Sequence, residues 1–183
     1  GLLHTNDAEE WKVGEAFRQL SMFEPLSLRN GEKVVEAPVD QAMLTQKYTL
    51  RAMDFIRRNR SRPFFLYLSH KAVHANFTPE PKYDGKFKDL KFERPATEDS
   101  TRTNRLQPRW LRDQRNSWHG VDFPYHSELN IEGFYKRYCE TLCSVDDSIG
   151  RVLQQLKDMG IYDDTLVIYM GDNGFMFGEH GLI

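Results

Sequence analysis

From Ile131 to Met159 the chain sets an apolar side chain every third or fourth position: Ile131, Phe134, Tyr138, Leu142, Val145, Ile149, Val152, Leu156 and Met159. That period predicts one long amphipathic helix, and Gly160 is placed to cap its carboxyl end. A helix of this kind has a single apolar stripe and must bury it against another element. Candidates lie on both sides in sequence. Phe64–Leu68 is continuously apolar, and Thr165–Met170 follows an Asp163-Asp164 turn with another apolar run. Runs of this length and character predict strands buried on both faces. Strand, helix and strand in succession form a right-handed crossover between parallel strands. The expected class is therefore α/β with a mostly parallel sheet. The carboxyl ends of the two strands then share one sheet edge, beyond which open α/β sheets bind their ligands.

The remaining chain predicts further elements. A short helix is expected over residues 6–22, entered through Asn6 or Asp7. Asn30-Gly31 marks a hairpin turn inside the polar stretch Pro25 to Pro38. A second helix is expected from Asp40 to Asn59, with Leu44, Tyr48, Ala52, Phe55 and Ile56 as its stripe. Arg57, Arg58 and Arg60 gather at its end, where cations complement the helix dipole. Residues 77–130 are too many for a structureless loop, and 92–130 read as an excursion folding over the sheet edge. Cys139 and Cys143 would share a helix face without forming a disulfide.

At 183 residues the length suits one domain. No apolar run reaches the roughly 18 residues of a membrane span. A net charge of −2 offers no broad basic field for nucleic acid or acidic lipid. Gly1 begins without an initiator Met or signal-peptide features, and Ile183 ends a glycine-rich turn, so the chain is expected to be an internal piece of a longer protein.

Two segments carry candidate chemistry, each just past a predicted strand. Asp172-Asn173-Gly174 reads either as a plain turn or as two oxygen ligands for a hard cation, Ca²⁺ or Mg²⁺ rather than Zn²⁺. His70, Lys71 and His74 read either as structural groups or as donors to an anion such as sulfate or phosphate; His can also protonate a leaving oxygen. Glu179-His180 reads as a solvated turn, or His180 orients a metal ligand through a hydrogen bond. Arg102, Arg105, Arg109, Arg112 and Arg115, with Trp110 and Trp118, make either a solvated basic face or a wall for a polyanion.

Together these segments resemble the sulfatases of the alkaline-phosphatase superfamily. The resemblance rests on Phe64-Phe65-Leu66-Tyr67-Leu68 leading to Lys71-Ala72-Val73-His74, and on Asp172-Asn173-Gly174-Phe175 running into Gly178-Glu179-His180-Gly181. Ser144 to Val152 and Asp163 to Val167 also look like that family. The Arg112-to-Tyr125 stretch, with Asn116-Ser117-Trp118-His119-Gly120, looks closest to sulfatases of sulfated amino sugars.

The resemblance implies a three-layer alkaline-phosphatase-like fold, of which residues 1–183 would be part of the catalytic domain. It implies that Asp172 and Asn173 are one pair of ligands to a single Ca²⁺ ion, and that His74, with Lys71, contacts the sulfate of a small molecule or glycan. The nucleophile of such enzymes is a formylglycine made within Cys/Ser-x-Pro-x-Arg. No Cys or Ser here meets that motif: Cys139 is followed by Glu140-Thr141 and Cys143 by Ser144-Val145. The family's first Asp pair is also absent, and its later lysine is expected beyond Ile183. The 183 residues alone are thus expected to be inactive. Two other readings stand beside the sulfatase: a phosphate or phosphonate ester hydrolase or transferase of the same superfamily, and a non-catalytic polyanion-binding module on a decayed scaffold. Family members are mostly exported or lysosomal.

Overall fold

A computed structural model of the chain describes residues 2–4, 27–74, 77–98, 107–116, 120–121 and 129–183. The helix expected over 6–22 lies outside the described residues, as do Arg102, Arg105, Trp118 and most of the stretch from 99 to 128.

Three short strands, β1 (Leu2–His4), β2 (Leu28–Asn30) and β3 (Lys33–Glu36), form an antiparallel sheet in the order β1-β2-β3. The turn between β2 and β3 is Gly31-Glu32, one residue past the expected Asn30-Gly31, because Asn30 still pairs with Lys33. Gly31 takes φ +60°, a conformation that strains any residue carrying a Cβ.

Helix α1 (Leu44–Asn59) is entered through a 3₁₀ turn, Gln41–Met43, where the Asp40 carboxylate accepts a hydrogen bond from the Ala42 amide at 2.9 Å. Its last turn ends on Asn59, whose side-chain oxygen accepts from the Arg62 Nε at 2.8 Å. A short helix, α2 (Arg109–Arg112), carries Trp110 exposed on the surface. The long helix α3 runs Ile131–Asp158. The Asn130 side chain accepts from the Gly133 amide at its start. At its end Gly160 adopts φ +67°, the Gly160 amide donates to Lys157 O and the Ile161 amide to Leu156 O. This is the Schellman arrangement that the glycine predicted.

The apolar stripe of α3 is only partly the buried face. Ile131, Phe134, Val145 and Leu156 are buried, but Leu142 is 38% exposed. Thr141, Ser144 and Ser148 are buried in its place, at about 1% exposure each. Ser148 faces the buried Thr49 of α1, Thr141 lines a cleft with Thr45, and the Ser144 hydroxyl accepts from the Glu80 amide at 3.0 Å. Helices approach closely where side chains are small, and each hydroxyl then needs a partner inside the seam. The Thr49 and Ser148 hydroxyls meet at 2.6 Å, and Gln155 reaches across to donate to Met53 O at 2.7 Å.

The two segments expected as buried strands are extended but take part in no strand ladder, and the sheet among the described residues is antiparallel rather than parallel. Phe64, Leu66 and Leu68 face inward; the Phe64 ring sits edge-on to Phe55 of α1 at 5.9 Å, and Leu68 packs against Leu28, Val39, Leu44 and Tyr48. Phe65 and Tyr67 point outward, 86% and 79% exposed, and Leu166 to Met170 are exposed throughout. Burial on both faces requires layers on both sides. Among the described residues only one face of Phe64–Leu68 has one.

Candidate functional site

The Lys71–His74 turn follows directly from the inward-packed Phe64–Leu68 segment. One backbone hydrogen bond closes it, from the His74 amide to Lys71 O at 2.9 Å. Lys71, Ala72 and His74 line a small cleft with Gln41, Leu44 and Thr45 at the start of α1, and with Thr141 of α3. His74 is exposed and Lys71 half-buried, so both side chains can reach a solvent-borne anion.

His70 sits differently from its neighbours. Its Nε2 lies 3.0 Å from the Ser148 hydroxyl, and its ring faces Tyr48 at 6.3 Å. Burial pulls its pKa below the ordinary 6.5. Of the three groups that the sequence put together, Lys71 and His74 share the cleft and His70 faces the helix seam.

Asp172 and Asn173 form an exposed turn in which the Asn173 amide donates to the Asp172 carboxylate at 2.9 Å. The Asn173 side-chain NH₂ donates to Gly174 O at 2.9 Å, which leaves its carbonyl oxygen on the other side of the amide. Carboxylate and carboxamide oxygens are the donor set a hard cation takes, and two of them are a fraction of the six to eight that Ca²⁺ needs. Among the described residues no group of three or more His, Cys, Asp or Glu is assembled for a metal.

The segment after this turn is anchored with care. Phe175 and Phe177 join an aromatic cluster with Phe77, Phe134, Tyr135 and Tyr138. Phe77 is buried and lies three residues past His74; its ring stands 5.5 Å from that of Phe175, two residues past Asn173. Helix α3 thus brings the His74 turn and the Asp172-Asn173 turn to one aromatic cluster. Sequence reasoning missed the joining of these rings, although two phenylalanines within three residues of a proposed ligand, Phe77 and Phe175, are a visible signal.

His180 occupies the 3₁₀ turn Glu179–Gly181 with φ +60°, and its amide donates to Thr97 Oγ1 at 3.4 Å. Its imidazole makes no hydrogen bond to Asp172 or Asn173 among the described residues. The Glu179 carboxylate instead turns back to accept from the Phe177 amide at 2.6 Å. Arg109 and Arg112 are exposed on α2, and Arg109 pairs with Asp113 at 3.3 Å.

The sulfatase family profile matches residues 5–182. The chain belongs to the sulfatase family. Among curated relatives, the multifunctional alkaline phosphatase superfamily protein PehA of Trinickia caryophylli is 26% identical over 94% of this chain and 37% of its own length. The N-acetylglucosamine-6-O-sulfatase of Bacteroides thetaiotaomicron is 24% identical over 94% of this chain and 40% of its own. The human N-acetylgalactosamine-6-sulfatase is 30% identical over 90% of this chain and 21% of its own. This sulfatase chain therefore spans two-fifths or less of the length of these relatives. Family membership carries the alkaline-phosphatase-like α/β fold with it. No helix among the described residues is long and apolar enough to cross a membrane.

Proposed function

We propose that the chain is part of the catalytic domain of a Ca²⁺-dependent sulfatase that hydrolyses sulfate esters of a glycan or small molecule. The observation that carries the reading is the Phe77–Phe175 contact, which draws the His74 and Asp172-Asn173 turns to one end of α3 within a chain matched by the sulfatase family. Two relatives named for 6-sulfated amino sugars favour that substrate class over simple aryl sulfates. In this reading the unpaired segments Phe64–Leu68 and Thr165–Met170 belong to the family's mostly parallel sheet, completed by chain beyond these 183 residues.

The donors divide the work by chemistry. The Asp172 carboxylate and the Asn173 carbonyl oxygen would hold part of the coordination shell of Ca²⁺, which would supply positive charge for sulfate oxygens and an oxyanion nucleophile. Lys71 contributes a fixed positive charge beside the sulfate. His74 donates a hydrogen bond to a sulfate oxygen and delivers a proton to the departing alcohol. The nucleophile, a formylglycine by family resemblance, lies outside the motifs present here.

The test is an assay of the intact protein on a sulfate ester of N-acetylglucosamine and on a matched phosphate monoester, before and after chelation. Sulfate hydrolysis that chelation abolishes and Ca²⁺ restores is the expected result, with mass spectrometry finding a formylglycine. Faster phosphate or phosphonate hydrolysis with an unmodified nucleophile would replace it with the second reading, which the superfamily name of PehA favours.

A further inference from the structure

The hydroxyl seam between α1 and α3 assigns a proton to every atom along it. Thr49 has one hydroxyl hydrogen and lies 2.7 Å from Thr45 O, a carbonyl that can only accept, so Thr49 donates there. The 2.6 Å contact between Thr49 and Ser148 must then be donated by Ser148. That spends the only hydrogen of Ser148, so the 3.0 Å contact between Ser148 Oγ and His70 Nε2 is donated by the imidazole. The ring is the neutral Nε2–H tautomer, and its Nδ1 carries a lone pair. Nδ1 is buried and has no hydrogen-bond partner among the described residues. A proton added there would bury a charge with no acceptor beside it, in keeping with the depressed pKa.

The directed chain His70 Nε2–H, Ser148 O–H, Thr49 O–H, Thr45 O joins three elements. It begins on the residue immediately before Lys71 and ends on Thr45, which lines the same cleft as Lys71 and His74. The Lys71–His74 turn is closed by the His74 amide, which donates to Lys71 O. His70, one residue before it, ties the entry of the turn to α3 through Ser148.

We propose that His70 is a positioning residue, which as a neutral Nε2–H donor holds the Lys71–His74 turn against α3 through Ser148 and Thr49. Its bearing on catalysis rests on the reading of Lys71 and His74 as the sulfate-binding pair; its bearing on the turn does not.

The experiment uses the intact protein. Nitrogen-15 NMR of the His70 ring at neutral pH should find a protonated Nε2 and an unprotonated Nδ1; the opposite tautomer overturns the proposal without any variant. His70→Leu and Ser148→Ala should each speed hydrogen exchange at the His74 amide about tenfold, as expected for one buried hydrogen bond lost. The double variant should exchange no faster than either single one, because both cut the same chain. His70→Gln presents an amide donor at a similar reach and should restore slow exchange. A purely packing role would lower Tm alike in the Leu and Gln variants, leave His74 exchange unchanged, and overturn the proposal. Should His70→Leu fail to fold, Ser148→Ala breaks the same chain from α3 and decides alone. In an active protein, kcat for sulfate ester should fall in His70→Leu and recover in His70→Gln. Absence of sulfate hydrolysis in the unaltered protein would sink the proposed function, while the exchange comparison would still decide the role of His70.

Discussion

The Phe77 and Phe175 rings meet edge-on, their centroids 5.5 Å apart and their planes at 71°. Each stands within three residues of a proposed ligand, His74 on one segment and Asn173 on the other. Phe134 of α3 touches both rings, at 4.6 Å and 5.7 Å. The contact thus physically links the two segments that carry the candidate site.

Phe77→Ala should therefore do two things. Removing a buried ring from a core costs about 3–5 kcal/mol. Loss of the contact with Phe175 should also weaken Ca²⁺ binding, since the Asp172-Asn173 turn loses its support. Phe77→Leu keeps most of the volume and should restore much of the stability. Chemical denaturation and a calcium titration of the intact protein measure the two effects separately. A stability loss with unchanged Ca²⁺ affinity would detach the rings from the site.

Gly178 has a second reason to be glycine besides its φ of +106°. A Cβ built there would lie 2.9 Å from the Glu98 carboxylate, which is buried and paired with Arg94. Gly178→Ala should destabilise the chain by about 1–3 kcal/mol, through backbone strain and displacement of Glu98. Gly174 is the control, because a Cβ at that position meets nothing within 4 Å. Thermal unfolding of the two alanine variants should separate them clearly.

The parts of the fold legible in the sequence are those decided locally. The period of Ile131 to Leu156 and the glycine at 160 gave α3 and its cap because both depend on neighbours along the chain. The hydroxyl seam was not legible. A hydropathy stripe counts Leu142 as core and Ser148 as surface, whereas the closeness of α1 reverses them. The extended form of Phe64–Leu68 was readable, but its burial depends on layers supplied from elsewhere. In the site, Asp172 and Asn173 stood out through turn chemistry. What joins them to His74 is a pair of rings far apart in sequence, and no spacing rule reveals such a contact.

The depressed pKa of His70 makes a prediction about acid stability. Its folded-state value lies below the ordinary 6.5, so between the two values the unfolded chain binds the extra proton. Stability from this group is fully present above 6.5 and is lost as pH falls below 6.5 toward the folded value. His70→Gln does not titrate, so it should lose less stability than the unaltered protein over that window. Denaturation midpoints at neutral pH and about one to two units lower would measure the difference. An equal loss in both proteins would place the acid sensitivity elsewhere.

Asp172→Ala and His74→Ala should fail in different ways. The Asp172 side chain is itself exposed, so its loss should remove Ca²⁺ and activity with little change in Tm. His74 is exposed in the cleft beside Lys71. His74→Ala should leave Ca²⁺ content intact and lower kcat by about 10²–10⁴, the usual contribution of a positioned proton donor. Metal analysis and steady-state kinetics on the same preparations distinguish the two. Full turnover by Asp172→Ala with Ca²⁺ still bound would remove Asp172 from the site. Normal rates with reduced stability in His74→Ala would make that histidine structural.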